Sequence, residues 1–565
     1  MRSFFKTLFY SSLLVSLVSC ESYLGPREDN RLTEEEMVNS PVLFEGILLN
    51  VYNALPSIYE FNEAVLSDDA VTNNKTSNYR RVATGEWTSI FYPNSKWSQA
   101  YEAIYHLNYF LSKYQEVEWS YRDAQENQWH LERLKGEAHG LRAYWQFILL
   151  QHHAGESPSG ELLGFPIITE VQEIKNDFQL PRNTYAECMN HILADIDTAM
   201  NYLPYEYENI PTSEPNSAAH NFAFGRRFRN RIDGRSVEAL KTRFMLHASS
   251  PAFAHLTWEE SAIAAGSFLE KNEGINALTP SGNQFYLTFM ERDVIWRTTR
   301  FQSNEMEREN FPPSEYGMGR INPTQDLVNA FPMQNGYPIN HESSDYAPDD
   351  PYSNRDPRLS YYIIYNGNQL KDSIFTHTGD ASDGINRLET STRSGYYLKK
   401  LMSTSVNLEP GNITVGDHFY TYVRYTEIFL NYAEAANEAW GPDGDPQGYG
   451  LTARSVIAAI RARAGINQPD VYLQSISDKE SMRELIQQER RIELCFEGFR
   501  FWDLRRWNLV DQISEDVHAM RIDFSQTPSY VTEFLEERGY KDYMIYGPIP
   551  YEETLKYDIV QNAGW

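Results

Sequence analysis

The sequence contains little cysteine. Its three cysteines, Cys20, Cys188 and Cys495, lie far apart in 565 residues, and none belongs to a CxxC or CxC arrangement. This spacing excludes the usual cysteine-based zinc sites. Cys188 and Cys495 fall in segments with helical periodicity. One disulfide between them is compatible with the count, but we expect two isolated buried thiols.

Basic residues are scarce relative to acidic ones. The chain has 78 Asp and Glu against 50 Lys and Arg, a formal net charge of -28. Nucleic acids and other polyanions bind to basic surfaces that displace counterions, so this charge argues against a nucleic-acid partner. The sequence also has no HExxH motif and no P-loop, and we expect no cofactor and no bound metal.

Catalytic carboxylates are the next feature that the sequence lacks. A glycosidase needs two carboxylates placed across a sugar ring, whereas the acidic pairs here are adjacent and rarely face one substrate atom. These pairs are Asp68 with Asp69, Asp349 with Asp350, and Glu552 with Glu553. The loop GPDGDPQGYG begins like a calcium loop at Asp443, but its twelfth position is Arg454 where a bidentate glutamate is required. We therefore expect a protein that is not an enzyme.

Long apolar runs are absent after the first twenty residues. Arg2 and Lys6 precede a short apolar run, residues 8–18, which is typical of an export signal and too short for a permanent membrane span. The run ends in LVSC, which resembles the bacterial lipobox, in which Cys20 is lipidated and becomes the first mature residue. We predict a signal peptide over residues 1–19 and a lipidated tether over residues 20–36.

Helical periodicity dominates the chain after this tether. Two successive segments place mostly apolar residues on one face at i, i+4, i+7, i+11 and i+14. These faces comprise Trp97, Tyr101, Ile104, Asn108 and Leu111, then Leu134, Ala138, Leu141, Trp145 and Ile148. Small residues such as Gly136 and Gly140 allow close helix approach. The pattern predicts helical pairs of tetratricopeptide type, although no clean 34-residue repeat is present.

The character of the chain changes over residues 272–412. Gly, Pro, Asn and Asp become frequent, and short pieces such as SYYIIY and GYYLKKL resemble isolated strands. Helical periodicity returns over residues 413–565. We predict a mostly α fold, in which a tetratricopeptide-like scaffold of helical pairs, residues 37–271, carries an irregular loop-rich lobe, residues 272–412, with a few short strands.

The stretch ERRIELCFEGFRFWDLRRW, residues 489–507, combines helical spacing with alternating charge and an aromatic and arginine cluster. Its arginines could form a carboxylate or phosphate site. Arginines that are already paired with glutamates bind free anions poorly, so we expect a structural ion-pair network instead.

Candidate ligand contacts are suggested by the chemistry of sugar binding. A sugar ring needs an aromatic platform for its apolar face and planar polar groups for paired hydroxyls. Aromatics make up 14% of the chain, with 38 Tyr. The loop 68–94 and the irregular lobe supply this mixture. The candidate ligand-binding residues are Asp68, Asp69, Asn74, Arg80, Arg81, Trp87, Tyr92, Tyr286, Trp296, Arg297 and Tyr316.

A set of segments in order along the chain resembles the SusD/RagB family, the surface glycan-binding lipoproteins of Bacteroidota. Besides the lipobox and residues 489–507, they are KGEAHGLRAYWQF (135–147), GRSVEALKTRFMLHASSPAF (234–253), RDPRL (355–359), YVRYTEIFLNYAEAANE (422–438), AIRARAG (459–465) and YGPIP (546–550). Most of these motifs are scaffold. The spacing of Arg424 and Glu427 predicts a local helix ion pair.

The resemblance implies an α-helical scaffold of tetratricopeptide-like pairs with an irregular ligand-binding lobe. It also implies a lid for a SusC-like TonB-dependent outer-membrane transporter, lipid-anchored in the outer membrane and facing the cell exterior. We expect a neutral or weakly charged oligosaccharide ligand, unless Arg80, Arg81 and Arg297 form a local basic pocket. A peptide-binding uptake protein of the same family and a pure protein-interaction scaffold are the alternatives.

Overall fold

The computed structural model describes residues 32–172, 179–289, 291–524 and 529–565. The predicted signal peptide, Cys20 and most of the tether lie outside these ranges. Within them, no helix combines the length and the apolar character that crossing a membrane would require.

Helices fill the chain from residue 34 to residue 271. They are α1 (Glu34–Val38), α2 (Pro41–Asn53), α3 (Asn78–Arg81), α4 (Trp97–Lys113), α5 (Ala124–His153), α6 (Tyr185–Tyr202), α7 (Ser217–Phe224), α8 (Gly234–Ser249) and α9 (Trp258–Lys271). The predicted helices are confirmed to within a few residues at their ends. Helix α8 begins at Gly234 because the side chain of Asp233 accepts a hydrogen bond from the Ser236 N–H at 2.8 Å and caps the first turn.

The long helix α5 packs between α4 on one side and α6 on the other, so consecutive helices form the predicted pairs. Gly136 shows why small residues are needed there. A Cβ atom at this position would lie 2.6 Å from Cγ of Leu203, closer than packed carbons approach. The close contact of α5 and α6 therefore depends on the missing side chain.

The irregular lobe is built from short pieces. Its helices are α10 (Glu305–Asn310), α11 (Gln325–Ala330) and α12 (Pro357–Tyr362). The strands that belong to the lobe or pair with it are β1 (Ala70–Thr72), β4 (Val294–Arg297), β5 (Phe301–Ser303), β6 (Ile321–Pro323), β7 (Ile363–Ile364), β8 (Tyr397–Leu398), β9 (Gly416–His418) and β10 (Thr421–Arg424). Of these strands, β1 precedes the lobe in sequence, and β9 and β10 follow it. Each described sheet has two antiparallel strands, pairing β1 with β6, β4 with β10, β5 with β9 and β7 with β8.

The strand prediction for SYYIIY is only half correct. Residues up to Tyr362 are helical, and the strand covers Ile363 and Ile364 alone. The helix forms because Pro357 occupies its first position and the Asp356 side chain accepts a hydrogen bond from the Arg358 N–H at 2.9 Å. The strand predicted in GYYLKKL is present at Tyr397–Leu398.

The remaining helices are α13 (Tyr425–Trp440), α14 (Ala453–Ala464), α15 (Val471–Ser475), α16 (Lys479–Glu493), α17 (Arg500–Arg506), α18 (Val510–Ile513) and α19 (Tyr551–Thr554). A hairpin of β11 (Val517–Asp523) and β12 (Ser529–Glu536) lies between the last two, and a small pair, β2 (Gly155–Glu156) with β3 (Leu162–Leu163), follows α5. Short 3-10 or π-type turns cover Phe61–Leu66, Val82–Glu86, Tyr114–Glu116, Arg226–Phe228, Gly274–Ala277, Gly282–Leu287, Pro313–Glu315 and Asp542–Ile545.

A buried ion-pair network joins the lobe to the C-terminal helices, as the sequence predicts. Arg358 is fully buried and donates to Asp356 at 2.6 Å, to Glu489 at 3.0 Å and to Glu493 at 3.1 Å. Glu493 also accepts from Arg463 at 2.7 Å. Burial opposes ionisation of Glu493, but its cationic neighbours outweigh it and lower its pKa to about 2.

The predicted ion pair between Arg424 and Glu427 is wrong. Arg424 has an extended backbone and precedes the helix α13, so it lacks the helical geometry that i,i+3 pairing needs. It binds Glu497 at 2.8 Å instead, while Glu427 accepts from Arg243 at 2.6 Å. Cys188 and Cys495 are free and buried, as predicted.

Candidate ligand-binding surface

Asp68 and Asp69 lie in the interior and face arginines. The Arg500 guanidinium donates to both carboxylate oxygens of Asp68 at 2.8 Å, and Arg491 Nε donates to Asp69 Oδ1 at 2.8 Å. Burial acts to raise the pKa of Asp68, but Arg491 and Arg500 outweigh it and hold that pKa below its usual range. These two aspartates fasten the loop to the C-terminal helices, which corrects their assignment as ligand contacts.

Trp87 and Tyr92 also belong to the interior. Trp87 is 1% exposed, and its ring centroid lies 4.8 Å from that of Trp565 and 5.2 Å from that of Tyr92. The Tyr92 hydroxyl lies 3.2 Å from Nδ1 of His152. Neither ring presents a face to a ligand in this structure, so both are packing residues here.

The candidates from the lobe are of two kinds, packing residues and an exposed residue. Trp296 is 1% exposed, packs against the tilted ring of Tyr422 with ring centroids 4.1 Å apart, and donates from Nε1 to the Asn230 carbonyl at 3.2 Å. Tyr286 packs its ring against Phe285. These two are scaffold contacts in this structure, whereas Tyr316 is exposed.

The three arginines that could form a basic pocket do not share one. Arg80 Nε lies 2.6 Å from Glu536, whereas Arg81 pairs with Glu86 at 2.7 Å and covers the Phe91 ring. Arg297 lies elsewhere, with its guanidinium 4.2 Å from the centroid of the Phe289 ring.

Three of the candidate positions, Asn74, Arg80 and Tyr316, belong to a surface junction that we call the seam. It consists of the segment 72–80, the turn 316–320, Arg393 and Glu536. Asn73 joins the first two parts, because its Nδ2 donates to the carbonyls of Met318 and Gly319, each at 2.9 Å. Arg393 donates to the Thr72 carbonyl at 3.1 Å. Four stretches that are distant in sequence are thereby held together.

Positive charge predominates on the seam. Glu536 lies within 3.1 Å of three guanidinium groups, those of Arg80, Arg393 and Arg538. Burial opposes ionisation of Glu536, but Arg538 and Arg393 outweigh it and keep its pKa below the usual range. Arg320 donates to Asn73 Oδ1 at 3.3 Å. Arg80, Arg320 and Arg393 remain partly exposed, so their donors can reach a ligand.

Tyr316 stands in the turn of the seam and is 54% exposed. Its φ of +61° is unusual for an aromatic residue, and the turn is fixed on both sides. The Tyr316 N–H donates to the Pro313 carbonyl at 3.0 Å, and the Met318 N–H donates to the Arg308 carbonyl at 2.8 Å. The backbone therefore holds an aromatic side chain in an exposed position.

Sequence reasoning missed Asn73, Arg320, Arg393 and Glu536. Glu536 ends the strand β12, and the alternating segments VHAMRID and SYVTEFLE carry the period of two that marks a hairpin. That signal could have indicated the hairpin. Nothing local indicates that its last residue meets Arg80, which is 456 residues away.

No group of His, Cys, Asp and Glu side chains within the described ranges is arranged to hold a metal ion. The loop that begins like a calcium loop is closed by protein groups. Arg454 occupies the position of the missing glutamate and donates to Asp443 at 2.7 Å and 2.9 Å.

A concave feature, which we call the cleft, opens between the helical scaffold and the strand β10. Its volume is about 410 Å³. Tyrosine rings and charged groups both line it. Its lining includes Tyr59, Glu60, Glu63, Lys96, Tyr144, Gln151, Tyr420 and Tyr422.

The pKa of Glu63 gives the cleft a testable pH dependence. Burial raises this pKa to about 7, although Lys96 and the Trp502 side chain oppose the change. An unfolded glutamate titrates near about 4.3, so the folded state binds the proton more tightly and stability falls as the pH rises through about 7. We expect Glu63→Gln to raise the melting temperature more at about pH 8 than at about pH 5.

Differential scanning calorimetry at the two pH values checks this expectation. Glu118→Gln, which alters an exposed carboxylate with no ion pair to the described residues, serves as the control and should give the same small shift at both. An equal shift for Glu63→Gln at both pH values would show that its pKa is not raised.

Comparison with known proteins places the chain in a family. Residues 290–565 match the model described as the SusD family, and residues 22–228 match a second model, described as starch-binding associating with outer membrane. The chain belongs to the SusD/RagB family. A SusD-like protein of Formosa agariphila is 30% identical over 121 residues, which cover 21% of this chain and 22% of that relative.

Solved structures show that the SusD-like fold extends over nearly the whole chain. A SusD-like protein from Bacteroides fragilis superposes with a TM-score of 0.74 and 22% identity, covering 94% of this chain and 99% of that one. A SusD-like carbohydrate binding protein from the same species superposes with a TM-score of 0.71 and 20% identity, covering 92% of this chain and 98% of that one. A laminarin binding SusD-like protein superposes with a TM-score of 0.58 and 18% identity, covering 93% of this chain and 100% of that one. The predicted mostly α, tetratricopeptide-like architecture is confirmed.

Proposed function

We propose that this protein binds an oligosaccharide at the seam and does not cleave it. The observation that carries this proposal is the exposed, backbone-fixed Tyr316, which shares its turn with the partly exposed Arg320, while Asn73 joins that turn to the segment of Arg80. A tyrosine ring offers a flat face to the apolar side of a sugar, and a guanidinium presents paired N–H groups to neighbouring hydroxyls. Of the sequence-based candidates, Asn74, Arg80 and Tyr316 stay in this proposed site, joined by Arg320 and Arg393.

The charge of the chain narrows the ligand class. The net charge of -28 opposes the approach of strongly anionic polymers, whereas the seam carries a local surplus of arginine over glutamate. A neutral or weakly charged oligosaccharide satisfies both conditions. Two of the superposed structures carry names that refer to carbohydrate or laminarin binding, which supports this class.

The proposal extends to location and partner. Cys20 would carry the lipid anchor and hold the protein at the outer membrane, facing the exterior, where it would deliver its ligand to a SusC-like TonB-dependent transporter. The lipobox-like LVSC and the outer-membrane description of the N-terminal family model support this arrangement.

Affinity gel electrophoresis with immobilised polysaccharides tests the proposed site. We expect retention by at least one neutral polysaccharide and at least tenfold weaker retention of Tyr316→Gly, because an anchoring aromatic side chain contributes about 2 kcal/mol or more. Glycine suits the left-handed backbone at this position, so the turn is preserved. Tyr121→Gly, at another exposed tyrosine, is the matched control and should migrate like the unmodified protein.

Two results would contradict the proposal. Retention by a sulfated polysaccharide alone, at moderate salt, would overturn the ligand class. Equal retention of Tyr316→Gly and the unmodified protein would show that the ligand does not bind at the seam.

A peptide ligand is the second candidate, because one specific observation favours it. Strand β12 pairs with β11 alone among the described strands, and it exposes Val531 and Phe534, the latter to 63%. An extended peptide can add to such an edge through main-chain hydrogen bonds. Peptides therefore belong in any binding panel for this protein.

A further inference from the structure

The cleft contains polar groups that its own walls leave unpaired. The hydroxyls of Tyr144 and Tyr420 form no hydrogen bond within the described ranges, whereas the neighbouring Tyr422 hydroxyl donates to the Pro56 carbonyl at 2.9 Å. Tyr144 is more than nine-tenths buried. Neither hydroxyl is among the fully buried polar atoms that lack a partner, so both retain some exposure on the cleft wall, where water or a ligand can pair with them.

Two further side chains add to this set. The Gln151 amide forms no hydrogen bond to the described residues, and the Glu63 carboxylate, which interacts with the Trp502 side chain, forms no ion pair with them. Glu63 lines the same cavity as Tyr144 and Tyr420. Together they offer hydroxyl, amide and carboxylate groups to one occupant.

Aromatic rings complete the wall. The ring centroids of Tyr59 and Tyr420 are 4.7 Å apart, and those of Tyr420 and Tyr422 are 5.1 Å apart. Flat apolar faces beside a few convergent polar groups are the usual composition of a small-molecule site. The volume of about 410 Å³ lies near the lower end of the range for such sites, roughly 300 to 1,000 Å³.

The charge in the cleft is nearly balanced. Its inner arginines are already paired with carboxylates: Arg243 with Glu427, Arg424 with Glu497, and Arg490 and Arg506 with Asp503. Glu60, Glu63 and Lys96 line the same space and form no ion pair within the described ranges. One cation between two carboxylates discriminates against anionic ligands, and Lys96 opposes a cationic one.

We propose that the cleft is a second ligand site, which binds one or two units of a neutral sugar through Tyr144, Tyr420, Gln151 and Glu63. The site lies between the helical scaffold and strand β10 and shares no residue with the seam. It therefore goes beyond the proposed function and does not depend on it.

Saturation-transfer NMR and calorimetry with free sugars test this proposal on the full mature chain. The probes are glucose, galactose, mannose, xylose, maltose, cellobiose and laminaribiose. We expect millimolar binding of at least one of them. Tyr144→Trp, which fills the cleft, should weaken that binding at least tenfold, and Tyr144→Phe, which removes only the unpaired hydroxyl, at least threefold.

The Phe variant should melt at the same temperature as the unmodified protein, because no intramolecular hydrogen bond is lost. If the Trp variant does not fold, Tyr144→Phe and Glu63→Gln carry the test, since both keep the side-chain volume. Tyr121→Gly, at an exposed tyrosine outside the cleft and the seam, is the control and should leave free-sugar binding unchanged.

Two outcomes would overturn the inference: no free sugar binds, or binding is equal in the unmodified protein and all the cleft variants. Retention of the unmodified protein by polysaccharide gels, with loss in Tyr316→Gly, reports on the seam separately. The two sets of measurements therefore show separately whether a ligand binds at the cleft and whether one binds at the seam.

Discussion

Replacing Arg358 by alanine is expected to lower the free energy of unfolding by about 3–5 kcal/mol. Arg358 is fully buried between Asp356, Glu489 and Glu493. Its removal leaves carboxylates in the interior without one of their cations. The penalty for such uncompensated charge exceeds the net contribution of the intact network, because the remaining groups cannot regain their hydration.

Urea unfolding of the variant and the unmodified protein measures this change. Arg300→Ala removes an exposed arginine whose partner, Asp417, is also exposed, and it should have little effect. Adding Glu489→Gln to Arg358→Ala should restore part of the lost stability, since one buried charge is removed. If Arg358→Ala changes stability no more than Arg300→Ala does, the network does not hold the lobe to the helices.

Replacing Trp87 by alanine is expected to destabilise the protein by about 3–5 kcal/mol and to leave ligand affinity unchanged while the protein is folded. Trp87 is surrounded by Tyr92, Phe501, Tyr540 and Trp565, and its removal opens a cavity among these rings. It touches no surface from which a sugar could be bound. The expected effect is therefore on folding, not on recognition.

Thermal unfolding combined with a binding assay well below the melting temperature separates the two effects. Trp87→Phe should cost much less than alanine, because it keeps a ring and also removes an indole N–H that has no hydrogen-bond partner in the described ranges. Loss of ligand affinity in a folded Trp87→Ala protein would show that Trp87 contributes to ligand binding.

The helical half of the fold was predictable because its signals are local. Apolar spacing, capping residues and small residues such as Gly136 lie within a few turns of the helices they determine. The arginine and glutamate stretch was predictable for a related reason, since its charges are too evenly matched for a free anion site.

The binding residues were less predictable because burial in loops depends on distant partners. Asp68 resembles an exposed recognition group until Arg500, 432 residues further along the chain, is placed against it. Trp87 lies in a polar stretch of sequence and yet packs against the final residue, Trp565. Tyr316 could be selected from its surroundings, whereas Arg393 could not, because only the fold brings it to Glu536.

Binding without cleavage can be measured by calorimetric titration of the mature chain with a panel of plant, fungal and host oligosaccharides, alongside short peptides. We expect that at least one neutral or weakly charged oligosaccharide binds, is recovered intact afterwards, and binds at least tenfold more weakly to Tyr316→Gly. Binding of peptides with no oligosaccharide, or recovery of a cleaved sugar, would contradict this expectation.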